Sequence, residues 1–360
     1  MNILLMSCVL NYRTLDGILS KHRIYYLISA KEKELLEREI SRLEYKENLI
    51  PIYLLSPVLA SSLFKSFETL GNEKIDLLMT TSPLRGLICL LHKKLSGKPY
   101  AIFVGQSFTE LIEIDGPLYM RLLLPFYRLA MRVSFGGAAA VITHSRHLRE
   151  YVKRHGARRV EGIYYYGVNT GVFKPAAARK NDAFTIFCAS RFIAQKGATY
   201  LLDACRILKK KNVPYKLEWY SEGPLKQPFM EAAGKEGLPI GFHDYVDEKT
   251  LAERISEADV FVMPSLSEGL GFAAAEALSC EKPVVATNVG GLPDVVEGYG
   301  ILVPPRSGDA LAEALLKVHG NLPYYRERAA AGRRHIIENF DRKLVVKQFL
   351  DALERARSQG

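Results

Sequence analysis

The stretch with the most chemical content is residues 258–300, ADVFVMPSLSEGLGFAAAEALSCEKPVVATNVGGLPDVVEGYG. Its apolar run at 260–263 reads as a strand. A Pro/Ser/Gly loop follows, and a helix begins near Gly271 and Phe272. A strand, a glycine-rich turn and a helix N-terminus in that order make an anion site, because backbone N–H groups and the positive end of the helix dipole point at the ligand. Gly269 and Gly271 let the backbone approach a phosphate closely; taken alone, such a turn also serves as a plain tight connection. Two carboxylates frame it, Glu268 before the turn and Glu276 one turn into the helix. A buried carboxylate at Glu276 suits a pair of ribose hydroxyls, since it accepts two hydrogen bonds. Glu268 on the loop suits the hydroxyls of a sugar or positive charge near an anomeric carbon. The plainer reading of either is a solvated surface acid. A hydrolase acid/base pair fits poorly, because two glutamates from one loop and helix do not flank a bond from opposite faces.

Such a site needs a parallel sheet to present it. Short apolar runs at 3–6, 24–29, 50–54, 77–80, 100–104, 139–143 and 160–165 alternate with amphipathic stretches such as 32–44 and 146–154. Continuous apolar strands separated by helices mark a parallel sheet covered on both faces. Residues 167–183, GVNTGVFKPAAARKNDA, read as a linker. The pattern then restarts at 184–190, 216–220, 240–242, 260–263, 283–286 and 301–303, and helical patterning from 324 to 357 breaks near Asn339, Phe340 and Asp341. The expected organisation is an N-terminal Rossmann-like domain (1–166), the linker (167–183), a second Rossmann-like domain (184–340) and a final helix (341–360) returning to the first. The fold class is α/β, two doubly wound domains. Ligands of such sheets bind at the carboxyl ends of the strands, so a cleft between two facing edges is the expected site.

Bulk numbers agree with that frame. A length of 360 residues exceeds one ordinary core and suits two. With 48% hydrophobic and 24% charged residues the chain is globular rather than disordered. The five cysteines, Cys8, Cys89, Cys188, Cys205 and Cys280, form no CxxC pair and read as small buried apolar residues in a reducing cytosol. The N-terminal MNILLMSCVL reads as a first strand rather than a signal peptide, and the longest apolar stretch, 118–135, is interrupted by Arg121, Arg128 and Arg132, so no span is expected; as a helix from about Leu118, kinked at Pro125, it reads either as a basic amphipathic segment in a headgroup layer or as a core helix with three snorkelling arginines. The net charge of +10 is uneven: residues 1–165 carry 23 Lys and Arg against 15 Asp and Glu. An anionic surface or acceptor near that half is one reading, and a solvated basic face the other. A binder of nucleic acid or another anionic polymer, the alternative from a different class, lacks the interleaved basic and aromatic motifs such proteins use. His144 and His147 lack a third metal ligand and read as a capped helix start.

The segment SEGLGFAAAEALSCEKPVVATNVGGLPDVV closely resembles the signature of the retaining glycosyltransferases of family 4, the "group 1" glycosyl transferases. The resemblance runs over residues 160–340 and includes YYGVNTGVFKP, ASRFIAQKGATYLLDA and HDYVDEKTLAERISEADVFVMPS, in order. It implies the two-domain GT-B fold and transfer of a hexose-type sugar from a nucleotide diphosphate sugar to a hydroxyl, with the anomeric configuration retained. Arg191 and Lys196 match the pair that clamps the donor diphosphate, where two fixed cations offset the charge growing on the leaving phosphate. Glu268 matches the residue that contacts the donor sugar, Gly269, Leu270, Gly271 and Phe272 the loop whose backbone contacts sugar and phosphate, and Glu276 the ribose ligand. Asp244, Tyr245 and Val246 match the turn that packs on the base. Without an Asp-x-Asp motif, no metal and no cofactor is expected; the nucleotide sugar is a co-substrate.

The match departs in three places. The family's Gly-x-Gly-Pro strand end is here Ser221-Glu222-Gly223-Pro224, which leaves Ser221 to line the nucleotide pocket. The first N-terminal loop, CVLNYRTLDGILSKHR, holds one glycine, Gly17, as the remnant of a Gly-Gly loop or as a turn residue. Gln106 stands where relatives often carry a cleft histidine and is a tentative donor or acceptor contact. A sugar-nucleotide epimerase, hydrolase or phosphorylase on the same fold stays open as an alternative. The acceptor is not legible: a lipid-linked or cell-envelope glycan is one reading, with the enzyme cytoplasmic and peripheral on the inner face of a membrane.

Overall fold

The structure is a computed structural model. It describes residues 1–5, 23–28, 49–53, 68–69, 71–72, 74–162, 167–176 and 183–358, without the side chains of 25–28 and 49–53. Gly17, Cys8, the expected helix 32–44, the three tyrosines at 164–166 and part of the expected linker lie outside the described residues. The chain forms two compact units: Met1–Thr109, Pro117–Tyr166 and Lys343–Gly360 make one, and Glu110–Gly116 with Gly167–Arg342 the other.

Among the described residues the first unit holds seven parallel strands: β1 (Asn2–Leu5), β2 (Arg23–Ile28), β3 (Leu49–Tyr53), β4 (Leu77–Thr80), β5 (Tyr100–Val104), β6 (Ala140–Thr143) and β7 (Val160–Gly162). Their order across the sheet is β3-β2-β1-β4-β5-β6-β7. Successive residues of one strand feed different cores. Ile3, Leu5, Met79, Phe103 and Ile142 pack with Val345, Phe349 and Leu353 of the last helix, Arg342–Ser358. Leu4, Leu78, Ile102 and Val141 pack on the other face with Cys89, Met131, Phe135 and Tyr151. Burial on both faces makes these strands read as unbroken apolar runs. Helices begin where a side chain satisfies the first N–H groups: Ser82 caps Pro83–Ser96, and Ser145 caps Arg146–Arg154 by accepting from the Leu148 N–H at 3.2 Å. A kink at Pro125 is expected from the sequence. The chain instead forms two helices, Leu118–Leu122 and Leu124–Gly137, with Pro125 in the first turn of the second, where a missing N–H leaves no bond unmade.

The second unit holds β8 (Phe184–Ala189), β9 (Tyr215–Tyr220), β10 (Ile240–His243), β11 (Val260–Met263), β12 (Val284–Thr287) and β13 (Ile301–Val303). All are parallel, in the order β10-β9-β8-β11-β12-β13. The first strand of the unit therefore sits beside the fourth, which is the topological switch point of a doubly wound sheet. Asp259 fixes this junction at its N-terminal end: its carboxylate accepts from the Thr185 N–H at 3.0 Å and from Arg326 at 3.0 Å, and its own N–H donates to the Thr185 carbonyl. Two aromatic rows brace the sheet. Phe261, Phe187, Tyr220 and His243 stack across four strands, and Phe192, Trp219 and Phe242 form the second row. The helix Leu322–Phe340 ends at Asp341, beyond which Arg342–Ser358 joins the first unit.

Candidate active site

At the carboxyl end of the switch point, the loop after β8 (190–197) meets the loop after β11 (264–271). Their backbones are tied directly, the Leu266 N–H donating to the Gln195 carbonyl at 2.8 Å. The buried Gln195 side chain returns a bond to the Ser267 carbonyl at 3.0 Å. The Lys196 ammonium, at the end of the short 3-10 turn Ala194–Lys196, donates to Glu268 Oε1 in an ion pair with both side chains largely buried. Ser265 Oγ donates to the same carboxylate oxygen at 2.8 Å, and the Ser265 carbonyl accepts from Thr287 Oγ1 at 2.6 Å. Glu268 is thus 7% exposed, held by one cation and one hydroxyl from two loops.

A third loop supports it from behind. Gly290 has a φ of +54°, and a Cβ there would lie 1.8 Å from the Glu268 carbonyl oxygen; the Gly291 N–H donates to that carbonyl at 3.3 Å. Only glycine allows both the left-handed backbone and the contact. Glu268 is therefore fixed at its side chain by Lys196 and Ser265 and at its backbone by the loop after β12.

Gly269 and Leu270 are buried, and Gly271, at φ +97°, turns the chain into the helix Phe272–Ser279. The sequence assigns Gly271 to close phosphate approach; its backbone angle alone already requires glycine. Glu276 lies in that helix at 7% exposure. Arg191 is exposed at the start of the loop after β8, five positions before Lys196, and its guanidinium makes no ion pair among the described residues.

The loops after β9 and β10 form a second cluster. The Ser221 N–H donates to the His243 carbonyl at 3.2 Å, and Lys226 bridges that carbonyl (2.9 Å) and Asp244 (2.6 Å). Lys226 and its hydrogen bond hold the Asp244 carboxyl below the usual carboxylate range. Val246 is half-buried beside the exposed Tyr245. An open recess of about 460 Å³ lies here against Gly223, Lys226 and Phe242; of the turn expected to pack on the base, Asp244 lines it and Val246 does not. Gln106 is half-buried after β5 in the other unit. His144, at the end of β6, is buried and pushed down to about 4 by loss of solvent, so it is a neutral core imidazole. Cys89, Cys188, Cys205 and Cys280 are buried free thiols; burial pushes the last three up to about 12, which leaves them inert. Among the described residues, no group of three His, Cys, Asp or Glu could hold a metal ion.

The sequence motifs name Lys196 and Glu268 separately but not their pairing, and they miss Gln195, Ser265, Thr287 and Gly290. The signal for these was their position in the loops that follow β8 and β11, at the last residue of β12 and in the loop after it.

The family described as Glycosyl transferases group 1 matches residues 183–321. The D-inositol 3-phosphate glycosyltransferase of Paenarthrobacter aurescens is 34% identical over 203 residues, 51% of this chain and 49% of that protein. The chain spans about half to two thirds of the length of the curated relatives it matches. Among solved structures, sucrose-phosphate synthase from Thermosynechococcus elongatus is similar over 100% of both chains, with a TM-score of 0.81 at 18% identity. Anabaena HepE, solved with UDP and glucose, is similar over 98% of this chain and 99% of its own, with a TM-score of 0.76 at 16% identity. Residues 183–321 thus match the glycosyl transferases group 1, and over its whole length the chain has a GT-B-like fold.

Proposed function

We propose that the protein is a retaining glycosyltransferase that moves a hexose-type sugar from a nucleotide diphosphate sugar to a hydroxyl acceptor. The observation that carries this reading is the Lys196–Glu268 pair at the switch point, beside the N-terminus of the helix Phe272–Ser279. A cation and a helix N-terminus suit a diphosphate, and an adjacent fixed carboxylate suits a sugar developing positive charge. The relatives support the donor class: one is named a glycosyltransferase and another was solved with UDP and glucose.

In this reading the bond from the anomeric carbon to the diphosphate oxygen breaks, and the electron pair leaves with the phosphate. Arg191 and Lys196 offset that charge together with the N–H groups of the loop 269–272. Glu268 faces the oxocarbenium-like carbon, and Glu276 accepts from the two ribose hydroxyls. Val246 and Ser221 border the base. The acceptor oxygen bonds to the anomeric carbon on the face the diphosphate leaves, and its proton passes to the leaving phosphate. Gln106, after β5, is a candidate contact to the donor or the acceptor. The acceptor we infer is a lipid-linked or cell-envelope glycan, on the uneven basic charge of the first 165 residues, with the enzyme peripheral on the inner face of a membrane.

The test is nucleotide release from a panel of nucleotide sugars, UDP-glucose first, joined to thermal shift with each donor. Arg191→Ala and Lys196→Ala should each lower turnover roughly a hundredfold, and a chelator should leave activity intact. No thermal shift with any donor, or activity lost to chelator and restored by magnesium, would overturn the reading.

A further inference from the structure

Exposed apolar surface is concentrated in one place. Of the fifteen exposed large hydrophobic side chains among the described residues, eight lie between residues 118 and 133 and three on the helix Pro83–Ser96, which packs against Leu124–Gly137. Leu118, Leu122 and Phe126 are 73%, 70% and 71% exposed. Phe126, Leu129 and Val133 recur at i, i+3 and i+7, a single stripe on the outer side of the helix Leu124–Gly137, and the exposed Leu122 ends the helix before it. Leu124, Met131 and Phe135 form the buried stripe on the inner side. A surface helix of a soluble fold carries polar residues outside; this one is apolar on both sides, and the patch exceeds the scattered exposure that needs no explanation.

The charges around the stripe have one sign. Residues 83–98 contain Arg85, Lys93, Lys94 and Lys98, and residues 116–149 contain five arginines; neither stretch contains an acid. Arg121, Arg128 and Arg132 are exposed alongside the apolar stripe. No helix among the described residues is long and apolar enough to cross a membrane. An apolar stripe flanked by arginines suits the headgroup layer of a bilayer, with the helix in its plane. A second copy of the chain fits poorly, since a two-fold contact through this face would set basic residues against basic residues.

We propose that the face formed by Leu118–Leu122, Leu124–Gly137 and the outer edge of Pro83–Ser96 docks on an anionic lipid bilayer. This rests on the peripheral placement inferred above and gives it a surface. Its test needs no donor, so its failure and a failure of the transferase reading are separate results.

The experiment is co-sedimentation of the full chain with phosphatidylcholine vesicles, with and without phosphatidylglycerol, at low and high salt. The chain should bind the anionic vesicles and be released by salt. Neutralising Arg121, Arg128 and Arg132 to Gln should lower the partition coefficient about fivefold per arginine, the equivalent of about 1 kcal/mol each. F126E with L129E should lower it at least about a hundredfold, through lost apolar burial, with an unchanged circular dichroism spectrum. F126W supplies a second readout without disrupting the stripe. Trp219, the chain's only tryptophan, is fully buried in the other unit, so a blue shift on vesicle addition reports the new side chain. Failure of the folded monomer to bind anionic vesicles at low salt would overturn the proposal. So would F126E/L129E binding like the parent, or a dimer in ultracentrifugation that F126E/L129E dissolves.

Discussion

Glu268→Gln is the sharpest test of the switch-point pair, because it should move affinity and stability in opposite directions. In the protein without donor, the Lys196 ammonium is already bound to Glu268 Oε1. A diphosphate that uses Lys196 must share it or draw it away. Glutamine keeps the acceptor that Ser265 Oγ uses at 2.8 Å and removes the charge. A hydrogen bond to a charged group contributes about 1.5–3 kcal/mol and a neutral one about 0.5–1.5 kcal/mol, so the competition for Lys196 weakens by about 1–1.5 kcal/mol. Affinity for a nucleoside diphosphate should therefore rise about tenfold. The same change leaves a largely buried cation without its counter-charge, which should cost about 1–3 kcal/mol of folding stability and lower Tm by several degrees.

Turnover should fall at the same time by roughly a hundredfold, since the carboxylate assigned to the anomeric carbon is lost. Isothermal titration with UDP and other nucleoside diphosphates, calorimetry of the apo protein and donor-release kinetics give the three numbers. Global damage would lower all three together. A lower Tm with unchanged or weaker nucleotide affinity would show that Lys196 does not exchange between Glu268 and the ligand. The sequence, which assigns Glu268 to the sugar alone, expects no change in nucleotide affinity; the exchange follows only from the observed pair.

Glu276→Ala should weaken a free nucleoside diphosphate by about tenfold to a hundredfold, as a charge-assisted contact contributes about 1.5–3 kcal/mol; unchanged titration would remove Glu276 from the ribose. Gly290→Ala should destabilise by roughly 2–4 kcal/mol, combining left-handed strain with a collision at the Glu268 carbonyl, whereas Gly234→Ala, in open space on the helix Lys226–Lys235, should stabilise by about 0.5–1 kcal/mol; melting curves of the two variants check both signs. His144 should make stability fall with acidification. Its folded value of about 4 lies below the ordinary imidazole value of about 6.5, so the unfolded chain binds the extra proton, stability is complete above about pH 6.5 and is lost progressively toward pH 4, by roughly 3 kcal/mol in all. Denaturant titrations across that window, with His144→Gln flattening the slope, measure it.

The two kinds of information in this chain were unequally readable. The strands were plain because parallel strands covered on both faces must be apolar at every position; Leu77–Thr80, Tyr100–Val104 and Val260–Met263 stand where the apolar runs place them. The break between the last two helices was visible at Asp341, and the order of apolar runs gave a doubly wound α/β fold. The segment from Leu118 was readable as basic and amphipathic, open between a headgroup-layer helix and a core helix, but the outward stripe of Phe126, Leu129 and Val133 was not readable as such. Periodicity shows two apolar stripes on the helix Leu124–Gly137 and does not say which one the sheet covers.

The candidate site was legible in the sequence as separate residues and not as a constellation. Lys196 and Glu268 are 72 positions apart, and no local pattern relates them. What joins them is the sheet order: β11 leaves the sequence of neighbours and inserts beside β8, so the loops after these two strands must share one edge. Once they share it, the remaining bonds follow from local chemistry. Gln195 has a carbonyl and an amide for the facing backbone, Ser265 sits three residues before the carboxylate in the same loop, and Gly290 is the residue that lets a third loop lie against the Glu268 carbonyl. Those three residues touch no reacting atom in the proposed chemistry. They set how far Glu268 can move when Lys196 turns to a diphosphate. Substitutions at Gln195 or Ser265 should therefore change turnover more than nucleotide affinity, the split expected when a group is displaced from its working position rather than removed. Steady-state kinetics and titration of Gln195→Ala and Ser265→Ala measure it, and equal losses in both quantities would assign these residues to binding instead.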